Sequence, residues 1–244
     1  MTFNRLTVLF LLLMASVWVA LINGQPLFMT DSTAYVRGPD FAVVYEFGSK
    51  FATTWTQKRT IEGVQNPERK DESESPSAAA PRLNSPFDKA IIAGRSIFYG
   101  SLLYLGHLTS HLWLSILLQG LIFVYLSYTF LITCMGLSIL TFVGIDIAVL
   151  ALTPLSFYIS TVMPDVFASF LIVATIILMA FWDSLRLRDR ILVSAILLYA
   201  TLAHTSHLIL LICLVCVFLG MRPAKNPGTS QDLVASRYSQ GTTP

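Results

Sequence analysis

Leu112-Trp113-Leu114-Ser115-Ile116-Leu117-Leu118-Gln119-Gly120-Leu121-Ile122-Phe123-Val124-Tyr125-Leu126-Ser127-Tyr128-Thr129-Phe130-Leu131-Ile132-Thr133 contains no acid and no base. Wound as an α-helix, it reaches about 33 Å, enough to cross the hydrocarbon core of a bilayer. A helix satisfies its own backbone N–H and C=O groups, which is the condition for entering lipid. The run therefore reads as an ordinary membrane span. Leu6 to Ile22, Leu137 to Leu155, Val166 to Trp182 and Ile191 to Gly220 are similarly apolar. Of 244 residues, 55% are hydrophobic and 12% charged, against about 25% charged in soluble domains. The fold class that follows is all-α, a polytopic transmembrane helix bundle of about five to six spans. A net charge of +2 is too small for an electrostatic footprint on nucleic acid, so no nucleic-acid partner is expected. Cys213-Leu214-Val215-Cys216 has the spacing of a redox or zinc pair. It lacks a second ligand pair and a polar setting, so its cysteines, like Cys134, read as small apolar residues.

Working outward from that span gives a topology. Residues 1–22 form the first transmembrane helix. The run is longer than a usual signal core, and Leu21-Ile22-Asn23-Gly24-Gln25 offers no small-x-small cleavage site. It is read as retained, with Arg5 and the N-terminus cytoplasmic. Residues 23–89 form a long first extracytoplasmic loop, in which Phe41 to Phe47 reads as a short strand or an interfacial segment. Residues 65–86 hold almost no large apolar side chain, cannot offset their ordering entropy, and are expected to be a disordered insert. Residues 90–220 hold the rest of the bundle. Ala90 to Gly106, interrupted by glycines and Arg95, reads as a shallow or re-entrant helix at the outer surface. Cys134 to Gly136 is a tight turn, and Asp146 lies mid-helix or at a helix boundary. Pro154 opens a looser outer segment ending at Asp165. Arg186, Arg188 and Arg190 in one short loop give the positive-inside signal. Ile191 to Gly220 is long for one span and is interrupted by His204-Thr205-Ser206-His207, which favours a hairpin of two short spans. Residues 221–244 read as a disordered cytoplasmic tail.

With this topology Asp31, Arg37, Asp40, Arg95, His107, His111, Asp165, His204 and His207 all fall at or near the outer face. Ionisable groups beside hydrocarbon are costly, so several on one side point to a polar cavity there. Each also has a plainer reading. Asp31-Ser32 caps a helix beginning at Thr33, and Asp165 caps the helix after it. Arg95 snorkels toward headgroups. The histidines satisfy each other or backbone carbonyls at a helix break, and Asp146 makes a helix-contact hydrogen bond.

Three stretches decide between these readings. Asp31 is followed four positions on by Tyr35. Gly94-Arg95-Ser96-Ile97-Phe98-Tyr99-Gly100 opens the next membrane segment. Pro154-Leu155-Ser156-Phe157-Tyr158-Ile159-Ser160-Thr161-Val162-Met163-Pro164-Asp165 ends in a second acid. In this order, over roughly residues 5 to 220, they resemble the amino-terminal half of the GT-C superfamily of polytopic membrane glycosyltransferases, the protein mannosyltransferases and aminoarabinose transferases. The resemblance implies transfer of a sugar from a polyprenyl-phosphate donor to an acceptor hydroxyl at the extracytoplasmic face of a bacterial inner membrane. It implies catalytic roles for Asp31, as base or acceptor-orienting group, and for Asp165, which positions a substrate or helps hold a divalent cation if one is used. It implies substrate binding by Tyr35, Arg37, Arg95, His204 and His207, the arginines meeting the leaving phosphate. No dedicated metal site is expected. Family members continue with further helices and carry a lysine where this chain has His204 and His207. The expectation therefore includes a truncated form, and the alternative is a non-catalytic remnant or partner of another membrane subunit. A third reading is a small proton-coupled transporter using Asp146 and the histidines.

Overall fold

Capping side chains set several helix ends. Ser96 Oγ accepts the Tyr99 N–H at 3.4 Å and Ser138 Oγ accepts the Thr141 N–H at 3.2 Å, each satisfying an amide that the first helical turn leaves unpaired. Gly24, at φ +75°, takes the left-handed geometry that ends a helix. The computed structural model describes residues 5–29, 31–51, 53 and 96–221. They form α1 (Arg5–Ser16), α2 (Trp18–Asn23), α3 (Ser32–Phe47), α4 (Ile97–Ser110), α5 (Trp113–Tyr128, extended by a π turn at Thr129–Cys134), α6 (Ile139–Leu152), α7 (Leu155–Ser160), α8 (Val166–Ala180), α9 (Leu187–Ala203) and α10 (Thr205–Met221). The fold is helical, with no β-strand among the described residues beyond a single bridge between Leu27 and Thr161. Residues 65–86, Arg95 and 222–244 lie outside the described residues.

Some expectations change and others hold. The first helix is not continuous: Ser16 Oγ donates to the Leu13 carbonyl at 2.7 Å, Val17 leaves helical geometry, and α2 starts afresh at Trp18. Phe41 to Phe47 is not a strand but the second half of α3, so its local β-propensity is overridden. The outer segment after Pro154 winds into α7. Asp146 lies inside α6, away from either end. Residues 191–220 are divided between two helices, which break at His204, whose backbone is extended; α10 packs on both α8 and α9.

The elements sort by the end of the bundle they reach. The turn at 135–138 and the turn at 181–186 lie at one end. The opposite end holds 24–31, the α6–α7 connection, Thr161 to Asp165, and the α9–α10 break. Both termini of α4 lie at this second end: Ser96 Oγ donates to the Leu202 carbonyl at 2.6 Å, and two residues after α4 ends, α5 begins its run away. Thus α4 crosses the bundle end instead of traversing the bundle. α3 runs beside it in the same direction, with Tyr35 against Tyr99, Pro39 against Gly100 and Asp40 near Tyr104. The centre is mostly apolar; among the polar side chains buried in it, Gln119 of α5 is fully buried and donates to the carbonyls of Ile159 (3.0 Å) and Thr161 (3.2 Å). Among the described residues one helix, Trp113–Cys134, is long and apolar enough to cross a membrane; Arg5–Ser16, Ile139–Leu152, Val166–Ala180 and Thr205–Met221 are apolar but shorter. Outward faces are apolar too, with Leu140 80%, Leu152 84% and Ile209 66% exposed.

Candidate functional site

Four segments from distant parts of the chain meet at the end crossed by α3 and α4. Leu27 N–H donates to Ser160 O and Val162 N–H to Leu27 O, both at 2.9 Å. Ser32 Oγ, one residue after Asp31, donates to the Val162 carbonyl at 2.7 Å and accepts the Met29 N–H at 3.1 Å. The segment bearing Asp31 is thereby tied to the segment that ends in Asp165. Asp31 is half-buried, at the residue before α3; the helix it precedes starts at Ser32 and not at Thr33. Asp165 is exposed at the start of α8 but makes no capping bond with its side chain, so its carboxylate is not spent on the helix end. It acts electrostatically on both Tyr99 and His207.

Tyr35 and Phe167, which follow the two acids in sequence, belong to one wall of rings. Tyr35, 1% exposed, meets Tyr99 edge-on at 5.3 Å, and Tyr99 meets Phe167 at 5.9 Å. Phe167 in turn meets Tyr199 at 5.2 Å. Tyr35 is thus a buried packing residue of the site's floor rather than an open contact for a substrate. Tyr99 donates to Gln119 Oε1 at 3.3 Å. Its phenol is held well above the usual tyrosine range, first by burial and then by Tyr199, Tyr35 and Asp165, so it stays a neutral donor.

The histidines are differentiated by their partners. His204 Nδ1 accepts the Ser206 N–H at 3.2 Å and lies 2.8 Å from Ser206 Oγ; in the neutral ring the proton is therefore on Nε2. His207 Nδ1 is 2.6 Å from the Ala200 carbonyl, which can only accept, so Nδ1 carries the proton and Nε2 keeps its lone pair. The rings lie 5.6 Å apart. The pair closes the helix break, as the plainer reading has it, and also presents one N–H donor and one basic nitrogen.

Beside this cluster is a pocket of about 410 Å³ lined by Gln25, Phe28, His107, His111 and Trp113, among others. His111 (φ +51°) and Leu112 (φ +74°) both sit in the left-handed region, a strained arrangement for two consecutive non-glycine residues. Asp40, fully buried, accepts from the N–H and hydroxyl of Thr53 and anchors the far part of α3.

The structure therefore ties the segment carrying Asp31 and Tyr35 to the one that ends in Asp165, and Asp165 acts on His207, whose ring faces that of His204. Arg37 lies on α3, and Arg95 immediately precedes the described Ser96. Among the described residues no three His, Cys, Asp or Glu side chains gather to hold a metal ion. Sequence reading missed Tyr99 and Gln119 as members of the cluster. Tyr99 was inside a quoted motif, and Gln119 is the one amide in an otherwise ordinary span. No protein-family model, no curated protein and no solved structure matches this chain.

Proposed function

We propose that this chain is a polytopic membrane glycosyltransferase of the GT-C type, moving a sugar from a polyprenyl-phosphate donor to an acceptor hydroxyl at the extracytoplasmic face. The observation that carries the reading is the junction of the Asp31 and Asp165 segments through Leu27, Ser32 and Val162, with His204 and His207 alongside. A membrane setting is supported by the long helix at Trp113–Cys134 and by the apolar outward faces. Each apolar Å² left in water forgoes about 25 cal/mol, and lipid removes that cost. In this setting α1 with α2, α5, α6, α8, α9 and α10 are the crossings, the short ones met by local thinning of the bilayer. Arg186, Arg188 and Arg190 lie at the end opposite the acids, which favours a cytoplasmic location for them and an outer one for the site.

In the proposed reaction the acceptor hydroxyl gives its proton to the Asp31 carboxylate as its oxygen attacks the anomeric carbon. The bond from that carbon to the phosphate oxygen breaks, and the phosphate departs with the electron pair. His204 Nε2–H, Arg37 and Arg95 are the donors for the negative charge that develops there. Asp165 orients the acceptor or the donor, and the pocket beside Phe28 and Trp113 gives access from outside.

The test is turnover of a polyprenyl-phosphate sugar by the full chain in proteoliposomes. Asp31→Asn is expected to lower the rate by about 10²- to 10⁴-fold, the usual worth of a positioned base, with the melting temperature unchanged. Wild-type turnover in Asp31→Asn removes the role assigned to that residue. No turnover by the wild type favours the non-catalytic reading.

A further inference from the structure

Asp146 takes no part in the cluster at the bundle end. It lies inside α6, 2% exposed, and lines a cavity of about 300 Å³. One carboxyl oxygen accepts a hydrogen bond from Ser127 Oγ. The other is buried and has no hydrogen-bond partner. The surrounding wall is almost wholly apolar, with Leu126, Phe130, Ile145, Phe170 and Val173 prominent in it. Residues of α5, its π turn, α6, α7 and α8 all contribute. The π turn places one more residue in a helical turn than an α-helix does, a distortion that recurs at functional sites; here it supplies Phe130.

A carboxyl group in this position is under-satisfied in either protonation state. Ionised, it is a charge with one hydrogen bond in apolar surroundings, which is costly. Neutral, with Ser127 donating to the carbonyl oxygen, it leaves the other oxygen as an O–H donor with no acceptor. For the carboxylate the missing partner is an N–H or O–H donor, and a cationic donor gains most because it also supplies the counter-charge that keeps the group ionised. The wall selects for a hydrocarbon body behind that donor. A volume of this size is at the small end of ligand pockets, and four helices, α5 with its π turn, α6, α7 and α8, line it.

We propose that this cavity is a binding site for a small lipophilic amine, with its ammonium group on the unpartnered oxygen of Asp146 and its alkyl body against Phe130, Ile145 and Phe170. The site stands apart from the sugar-transfer reading and does not depend on it.

The experiment is native mass spectrometry of the detergent-solubilised full chain with n-octylamine, using n-octanol as the neutral isostere. One octylamine is expected to bind per wild-type chain, and Asp146→Asn is expected to weaken it by about 10-fold or more, the worth of a charge-assisted bond. Octanol binding should be insensitive to the substitution. Val173→Trp, which fills the cavity and keeps the carboxyl group, should abolish octylamine binding, and it serves where Asp146→Asn proves unfolded by its melting curve. Equal octylamine occupancy in wild type and a folded Asp146→Asn, unchanged binding in Val173→Trp, or no binding to the wild type each overturns the proposal.

Discussion

Gly100→Ala tests the contact that holds the two helices lying across the bundle end. Pro39 lies inside α3 and has no N–H, so the carbonyl four residues earlier, that of Tyr35, loses its usual helical donor. The structure packs Gly100 of α4 against that oxygen. A β-carbon at Gly100 would lie 2.3 Å from Tyr35 O and 3.0 Å from Pro39 Cγ, whereas ordinary contact begins at 3.4 Å. The helices must part by about 1 Å, and the obstructing atom is backbone, which cannot rotate away. A clash with backbone falls in the upper half of the usual overpacking range, about 2–3 kcal/mol, against about 1 kcal/mol recovered from the better helix propensity of alanine. The net expectation is a loss of about 1–2 kcal/mol, or about 2–8 °C in Tm for a chain of this size. Gly144→Ala is the matched control, because a β-carbon there meets nothing within 4 Å; it should gain about 0.5–1 kcal/mol. Thermal unfolding of both variants in the same detergent, followed by circular dichroism, reads the two signs side by side. Gly100→Ala as stable as the wild type would refute the packing argument.

Two further predictions concern stability. Gln119→Leu removes the donor for the carbonyls of Ile159 and Thr161 and the acceptor for Tyr99. Leaving those groups buried and unpaired should cost about 2–4 kcal/mol, measured by denaturant titration, and a loss below about 1 kcal/mol contradicts the assigned network. His107 is held below the ordinary histidine value of 6.5, first by burial and then by His111, with Asp40 pulling the other way. The unfolded chain therefore binds a proton before the folded one does, so stability is full above the unfolded value and declines as pH falls through it toward the folded value. His107→Gln should shrink the Tm difference between about pH 7.5 and about pH 5.5, and an unaltered difference would count against that assignment.

The helices were legible because their signal is local. An apolar run without charge has few alternatives, and capping residues such as Ser96 and Ser138 sit where the runs begin. Phe41 to Phe47 left a strand open because its β-branched and aromatic residues favour one locally, whereas the structure winds it into α3. Val17 gave no warning as a break, since neither glycine nor proline marks it. The joining of the Asp31 and Asp165 segments was legible only as an expectation about sides. Topology assigned both to one end, but the bridge that joins them runs through Leu27, Ser32 and Val162, residues whose types say nothing about partners 130 positions away.

The same limit explains Gln119. In a span that reads as uniformly apolar, one buried amide would be a liability unless each of its polar atoms were matched. Its Nε2 group serves two carbonyls at Ile159 and Thr161, which lie where α7 ends and the Asp165 segment starts, and its oxygen takes the Tyr99 hydroxyl. A single residue thus fixes the height of α4 above the bundle and the path of the chain into Asp165. Tyr99 then passes that position to Tyr35 through the ring contact, and Tyr35 lies one helical turn from Asp31. Rigidity at the bundle end consequently originates inside the span, and substitutions at Gln119 should disturb both acids' segments although the residue touches neither acid. Hydrogen exchange separates this from a purely local defect: Gln119→Leu should raise exchange at the Leu27 and Val162 amides, which bond to Ser160 and Leu27. Protection unchanged there, with stability still lost, would mean that the amide holds only its own neighbourhood.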